Sequence, residues 1–73
     1  MNLVFEKAET LADFPFQTPT KLTRAVLAIS DQEERLRLID AELTARGWSE
    51  ADRRECRERV LFFLGEGWEL TEI

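Results

Sequence analysis

The stretch Arg46-Gly47-Trp48-Ser49 decides the fold of this 73-residue chain, because it separates two segments with the apolar spacing of amphipathic helices. Gly47 stands where the end of a helix requires a left-handed residue. Ser49, followed three residues later by Asp52, matches the pattern that caps the start of a new helix. A connection this short predicts that the two helices fold back as a hairpin or meet at a steep angle.

Helix-start signals divide the rest of the central region. Thr18-Pro19 predicts one helix start, since threonine can cap free amides and proline suits the first helical position. Ser30, with Glu33 three residues later, predicts a capping box for the next helix. Together with the turn at Gly47, these signals predict three helices, at about Pro19–Ile29, Asp31–Ala45 and Glu50–Leu64.

The two ends of the chain predict extended structure. Residues 1–7 alternate in polarity, as in a short strand or an extended arm. Pro15 indicates that residues 9–18 form irregular chain. The tail either pairs with residues 3–6 as a short β ribbon or forms a loose arm that docks Trp68 on the helices. The sequence thus predicts a single, mainly α domain with three parts: an extended arm and loop (1–17), three helices (18–64) and a tail (65–73).

Composition narrows the possible partners and the compartment. Fifteen acidic and ten basic residues give a net charge of −5, which repels nucleic-acid phosphates and favours basic partners. One cysteine cannot form an internal disulfide, which indicates a reducing compartment. The chain has neither a signal-peptide pattern nor an apolar run long enough for a membrane span. We therefore expect a cytoplasmic protein that does not bind membranes.

The residues offer little for catalysis. The chain contains no histidine, so the commonest general base and metal ligand is absent. No glycine-rich phosphate-binding loop is present. Cys56 has no second thiol or imidazole beside it in the sequence, and its place on a helix face is typical of a small core residue. We expect a protein without enzymatic activity, cofactor or metal.

Arginines of the third predicted helix suggest a nucleic-acid alternative. Arg53 and Arg57 lie one turn apart without an obvious local partner and could meet a phosphate or a carboxylate. Glu50, Asp52 and Glu55 are interleaved with these arginines, which argues against sequence-specific DNA reading. A third alternative is an acidic protein that neutralises a toxin or associates with itself.

Aromatic and acidic residues before the first helix predict a partner-binding site. The apolar side chains there either close the open end of a small core or form an exposed anchor flanked by carboxylates. The candidate partner-binding residues, with the two arginines included, are Leu3, Phe5, Glu6, Glu9, Asp13, Phe14, Phe16, Arg53 and Arg57.

The whole chain also resembles a family. With its length, acidity, opening Met1-Asn2-Leu3-Val4-Phe5 and closing Trp68-Glu69-Leu70, it is similar to the small transcription-inhibiting and antitermination factors of lytic phages of plant-pathogenic bacteria. The resemblance implies a partner, the host RNA polymerase, contacted on the N-terminal part of its largest subunit near the RNA exit channel. It further implies a host elongation factor as an additional partner. The implied activity is inhibition of initiation at host promoters and suppression of termination, in the cytoplasm of the host cell.

Overall fold

Three helices and three strands make up the fold, in a computed structural model that describes all residues 1–73. In chain order they are β1 (Leu3–Lys7), β2 (Thr10–Asp13), α1 (Thr20–Ala28), α2 (Gln32–Ala45), α3 (Glu50–Gly65) and β3 (Glu69–Glu72). The three predicted helices are confirmed, each boundary falling within one residue of its expected place. The predicted mainly α class is wrong: the protein is a small α+β domain with a three-stranded antiparallel sheet.

The error in fold class arises at the hairpin between β1 and β2. Residues read as irregular chain contain β2, which pairs with β1 so that Lys7 lies opposite Thr10. The two-residue turn, Ala8-Glu9, has positive φ at both positions, 49° and 68°. Hairpin turns of this kind normally use asparagine and glycine, which reach positive φ at low cost. Alanine and glutamate give no such signal, so the sequence conceals the hairpin.

The tail forms the third strand. β3 pairs antiparallel with β1, giving the strand order β2-β1-β3 with β1 in the centre. The pairing continues to Asn2 and Ile73, which exchange backbone hydrogen bonds of 3.0 and 3.1 Å. Trp68, just before β3, meets the ring of Phe63 edge-on at 5.3 Å between centroids. The ribbon alternative is therefore confirmed, and the alternative of a loose arm is wrong, although Trp68 does contact α3.

The core lies between one face of the sheet and the helices. Phe5, in the middle of the central strand, is fully buried and stacks on Phe63 of α3 at 4.3 Å. Phe14 packs against Phe5 at 5.4 Å, which brings the loop after β2 into the same core. The remaining buried apolar residues of this cluster are Leu3, Phe16, Leu22, Val26, Ile39, Leu43, Cys56 and Val60.

The turn at residues 46–49 has the predicted cap geometry. Gly47 is left-handed at φ 81°, and the N–H of Trp48 donates to the Leu43 carbonyl at 3.0 Å, closing the end of α2. The Ser49 hydroxyl accepts the N–H of Asp52 at 3.1 Å and caps α3. Arg46 lies over the ring of Phe16, 5.1 Å from its centroid. The turn therefore joins α2 to α3 and also holds the loop that follows β2.

Two predicted caps are wrong. The Thr18 hydroxyl accepts the N–H of Leu3 at 2.8 Å and bonds the Thr23 hydroxyl at 2.7 Å, while the cap position of α1 is Pro19. The reason is that the Leu3 amide is buried and needs an acceptor more than the exposed helix start does. The cap position of α2 is Asp31, which makes no side-chain cap hydrogen bond.

Candidate partner-binding surface

The sheet has one face away from the helices, here called the outer sheet face. Leu3 and Phe5 of β1 enter the core, and side chains alternate along a strand, so their neighbours point the opposite way. Residues paired across strands share a face. The register therefore assigns six residues to the outer sheet face: Val4 and Glu6 from β1, Leu11 and Asp13 from β2, and Glu69 and Thr71 from β3.

Carboxylates dominate this face. Glu6 lies directly opposite Glu69 across the β1–β3 pair, and Asp13 lies opposite Val4 across the β1–β2 pair. All three carboxylates are exposed, as is Glu9 in the adjoining turn. Like charges placed directly opposite each other weaken a sheet. The face thus has an arrangement that folding alone does not favour.

No basic side chain of the chain neutralises these acids. The ion pairs of the protein all lie among the helices and their connections: Glu42–Arg46, Asp40–Arg53 and Glu50–Arg54. Lys7 is the nearest cation in sequence, but its Nζ donates to the carbonyl of Glu66 at 2.6 Å. The four carboxylates are therefore free to pair with positive charge from another molecule.

An exposed leucine lies among the acids. Leu11 lies opposite Glu6 and is 49% exposed, although leucine is among the most often buried residues. Val4 is buried between its neighbours on the outer strands. The outer sheet face therefore combines one accessible apolar side chain with surrounding negative charge.

The structure separates the predicted site residues into three groups: buried apolar residues, exposed acids and two arginines. Leu3, Phe5, Phe14 and Phe16 are all buried in the core, so the alternative of an exposed apolar anchor is wrong for them. Leu3 and Phe5 point at the helices because they are alternate residues of the central strand β1. Phe14 and Phe16 extend this packing through ring contacts at 5.4 Å (Phe5–Phe14) and 5.3 Å (Phe14–Phe16).

The acidic part of the prediction is gathered on one side of the molecule. Glu6, Glu9 and Asp13 lie on the outer sheet face or at its turn, and their contact with a partner stays a prediction. Glu69 joins them although the sequence analysis did not select it. The alternation of Glu69, Leu70 and Thr71 is the signal that would have placed it there, once β3 is recognised as a strand.

The two arginines differ in their surroundings. Arg53 is already engaged: its Nε donates to Asp40 Oδ1 at 3.0 Å and a terminal nitrogen donates to the Trp48 carbonyl at 2.7 Å. Arg57 is exposed and forms no ion pair. A small cavity of about 260 Å³ beside them is lined by Asp40 and Glu50 as well as by arginines. The arginine surface is thus mixed in charge rather than continuously basic.

Cys56 is one of the residues that line an open cleft beside the turn at residues 46–49. The cleft, of about 590 Å³, is bordered by Pro15, Trp48 and Arg59. Burial raises the pKa of the Cys56 thiol above its ordinary value, partly offset by Arg59, and Asp40 raises it further. The thiol is therefore protonated at neutral pH, the form that is not nucleophilic.

Comparisons with protein-family models, with curated proteins and with solved structures found no match to this chain. None of the three helices has the length and apolar character required to cross a membrane.

Proposed function

We propose that this protein is a non-enzymatic regulator that binds the host bacterial RNA polymerase through its outer sheet face. Binding inhibits initiation at host promoters and suppresses termination. The observation that carries the proposal is the set of unpaired carboxylates on an exposed sheet face. The partner surface is the N-terminal region of the largest polymerase subunit, near the RNA exit channel, as the family resemblance implies.

Electrostatics supports this choice of partner surface. Protein surfaces that line a nucleic-acid channel are basic, and an acidic face complements them. Opposite potentials also speed the diffusional encounter, and that acceleration weakens as salt is added. Glu6 and Glu69, which repel each other in the free protein, would both gain from a cation placed between them.

Such a regulator acts by changing populations. A protein that binds one conformation of the polymerase more tightly than another shifts the enzyme towards the bound form, in proportion to that difference in affinity. Neither activity then needs an active site. This agrees with the thiol of Cys56 being buried and protonated.

The experiment is an affinity capture from bacterial lysate followed by transcription with purified polymerase. The wild-type protein is expected to retain the polymerase, to reduce promoter-dependent initiation and to increase read-through at a terminator. A variant neutralised on the outer sheet face should fold normally but capture roughly tenfold less polymerase. Its three substitutions are Glu6→Gln, Asp13→Asn and Glu69→Gln.

A matched control removes the same number of charges elsewhere. Three exposed glutamates along α3 and at its end serve this purpose, since none of them forms an ion pair. The control substitutions are Glu55→Gln, Glu58→Gln and Glu66→Gln. Equal capture by the two variants would show that net charge, not the sheet face, matters. Failure of the wild-type protein to retain any polymerase subunit would refute the proposal itself.

A further inference from the structure

We propose that the free edge of β2 binds an extended, basic segment of the partner protein as an added strand of the sheet. This inference rests on the proposed function, because it uses the acids of the outer sheet face, and it adds the backbone geometry by which the partner is held. The basis is the hydrogen-bond pattern of the sheet together with its charge.

The pattern of backbone bonds fixes which groups of β2 are free. Asn2 and Ile73 form a reciprocal hydrogen-bonded pair, and such pairs alternate along antiparallel strands. Counting from Asn2, every second residue of β1 forms its backbone hydrogen bonds with β3. The residues between them, which include Phe5 and Lys7, form their backbone hydrogen bonds with β2. In β2 the partners of these residues are Ala12 and Thr10.

The remaining residues of β2, Leu11 and Asp13, therefore direct their N–H and C=O groups away from the sheet. The backbone hydrogen bonds outside the helices and strands involve neither residue, and neither do those made by side chains. Unpaired groups along an edge strand are a template for another strand.

The opposite edge of the sheet is less accessible. β3 lies beside α1, and three of its four residues are partly covered. Three of the four residues of β2 are exposed, and β1 is the one element with which it packs extensively. The accessible edge is thus the one that adjoins Glu9 and Asp13.

The side chains on this edge specify the occupant. In an added strand, one residue lies opposite Leu11 and faces the same way, so an apolar side chain there covers the exposed leucine. The residue two positions away lies opposite Asp13, and the residue two positions in the other direction approaches Glu9. The carboxylates of Asp13 and Glu9 favour lysine or arginine at both of these positions of the added strand. The added strand runs antiparallel to β2, which is the more stable pairing per residue, and its recognised pattern is basic-x-apolar-x-basic.

Charge also decides against a second copy of this chain as the occupant. Pairing β2 with β2 of another molecule would place the acids of this edge against the same acids of the other molecule. Each copy carries a net charge of −5. Repulsion between like charges opposes that arrangement.

The test uses the full-length protein labelled with ¹⁵N and a short peptide in which lysine, valine and lysine alternate with threonine. Docking on the edge should shift the amide resonances of Leu11 and Asp13 downfield and slow their hydrogen exchange. A second peptide with the same side chains, N-methylated at the valine and both lysines, cannot donate to the edge. We expect it to bind at least tenfold more weakly.

Two variants give an independent measurement. Leu11→Pro removes the outward N–H without touching the bonds to β1, a position where edge strands accept proline. Leu11→Ala removes the same side chain contact but keeps the amide. We expect Leu11→Pro to bind the unmethylated peptide several-fold more weakly than Leu11→Ala, with circular dichroism confirming that both fold. If Leu11→Pro does not fold, the N-methylated peptide still decides the matter on the native protein.

Three results would overturn the inference: equal binding of the two peptides, absence of shifts at Leu11 and Asp13 up to about 1 mM peptide, or shifts of these amides with protein concentration alone. The last result would identify a second copy as the occupant. The proposed function fails separately, when the polymerase is not captured although the peptide docks. It survives an edge that does not bind peptide, provided that neutralising the outer sheet face still reduces capture of the polymerase roughly tenfold.

Discussion

Replacing Ala8-Glu9 by Asn-Gly should stabilise the protein markedly. Both residues of this turn have positive φ, 49° and 68°, and neither is glycine. An L-residue in the left-handed region costs roughly 1–2 kcal/mol relative to its preferred conformations. Glycine removes that cost at the second position but loses about 0.5–1 kcal/mol through the greater freedom of the unfolded chain. Asparagine at the first position reduces the cost further, since it tolerates this region.

Together the two changes should raise the free energy of unfolding by about 1–1.5 kcal/mol, since the gain from glycine is partly offset by chain freedom and asparagine relieves only part of the cost at the first position. For a domain of this size that corresponds to a rise in Tm of roughly 5–10 °C. Thermal unfolding followed by circular dichroism measures it directly. Glu9→Gln is the control, because it removes the charge without changing the backbone preference. If the Asn-Gly variant melts no higher than Glu9→Gln, the turn is not strained and the reasoning is refuted.

Three further changes test the core and the turn. Gly47→Val should lower the free energy of unfolding by about 1–2 kcal/mol, because φ is 81° and no atom lies within 4 Å of the added Cβ, so the cost is conformational; Gly47→Asn should cost less, and equal melting of Gly47→Val and the parent would contradict this. Phe5→Leu should cost about 1–2 kcal/mol in urea unfolding through loss of the ring stacked on Phe63. Since burial raises the pKa of the Cys56 thiol, the folded state holds its proton longer than the unfolded state. The contribution of the Cys56 thiol to the free energy of unfolding should therefore be fully present below the pKa of the unfolded state and be lost as pH rises through the pKa of the folded state. The Cys56→Ala variant should not show this loss of stability with pH.

The helices were predictable because their signals are local. Gly47 and Ser49 act through bonds to residues three or four positions away, and those bonds are present in the structure. The cap assigned to Thr18 failed for the opposite reason. Its hydroxyl instead accepts the N–H of Leu3, fifteen residues away, and no local sequence pattern predicts that hydrogen bond.

The sheet was harder to predict. Its central strand β1 shows a short alternation of polarity. One partner, β2, follows a turn that lacks asparagine and glycine, so no hairpin signal marks it. The other partner, β3, lies about 65 residues further along the chain. The candidate site was found in part. The sequence analysis selected Glu6 and Asp13 because they are charged and lie near aromatic residues. They share one face of the sheet only because β2 pairs with β1, and the sequence did not predict β2. The aromatic residues themselves were needed to fill the core.

The placement of β1 between the hairpin and the tail affects how the molecule can fold during synthesis. β1 and β2 can pair early, because only two residues separate them. The other side of β1 must wait until Glu69–Glu72 has been translated, and closing so long a loop is slow and entropically costly. Until then the backbone groups of β1 that bond β3 lack their final partners. A nascent chain stalled before Glu69 should therefore be exposed to proteases and to aggregation, which the released chain avoids.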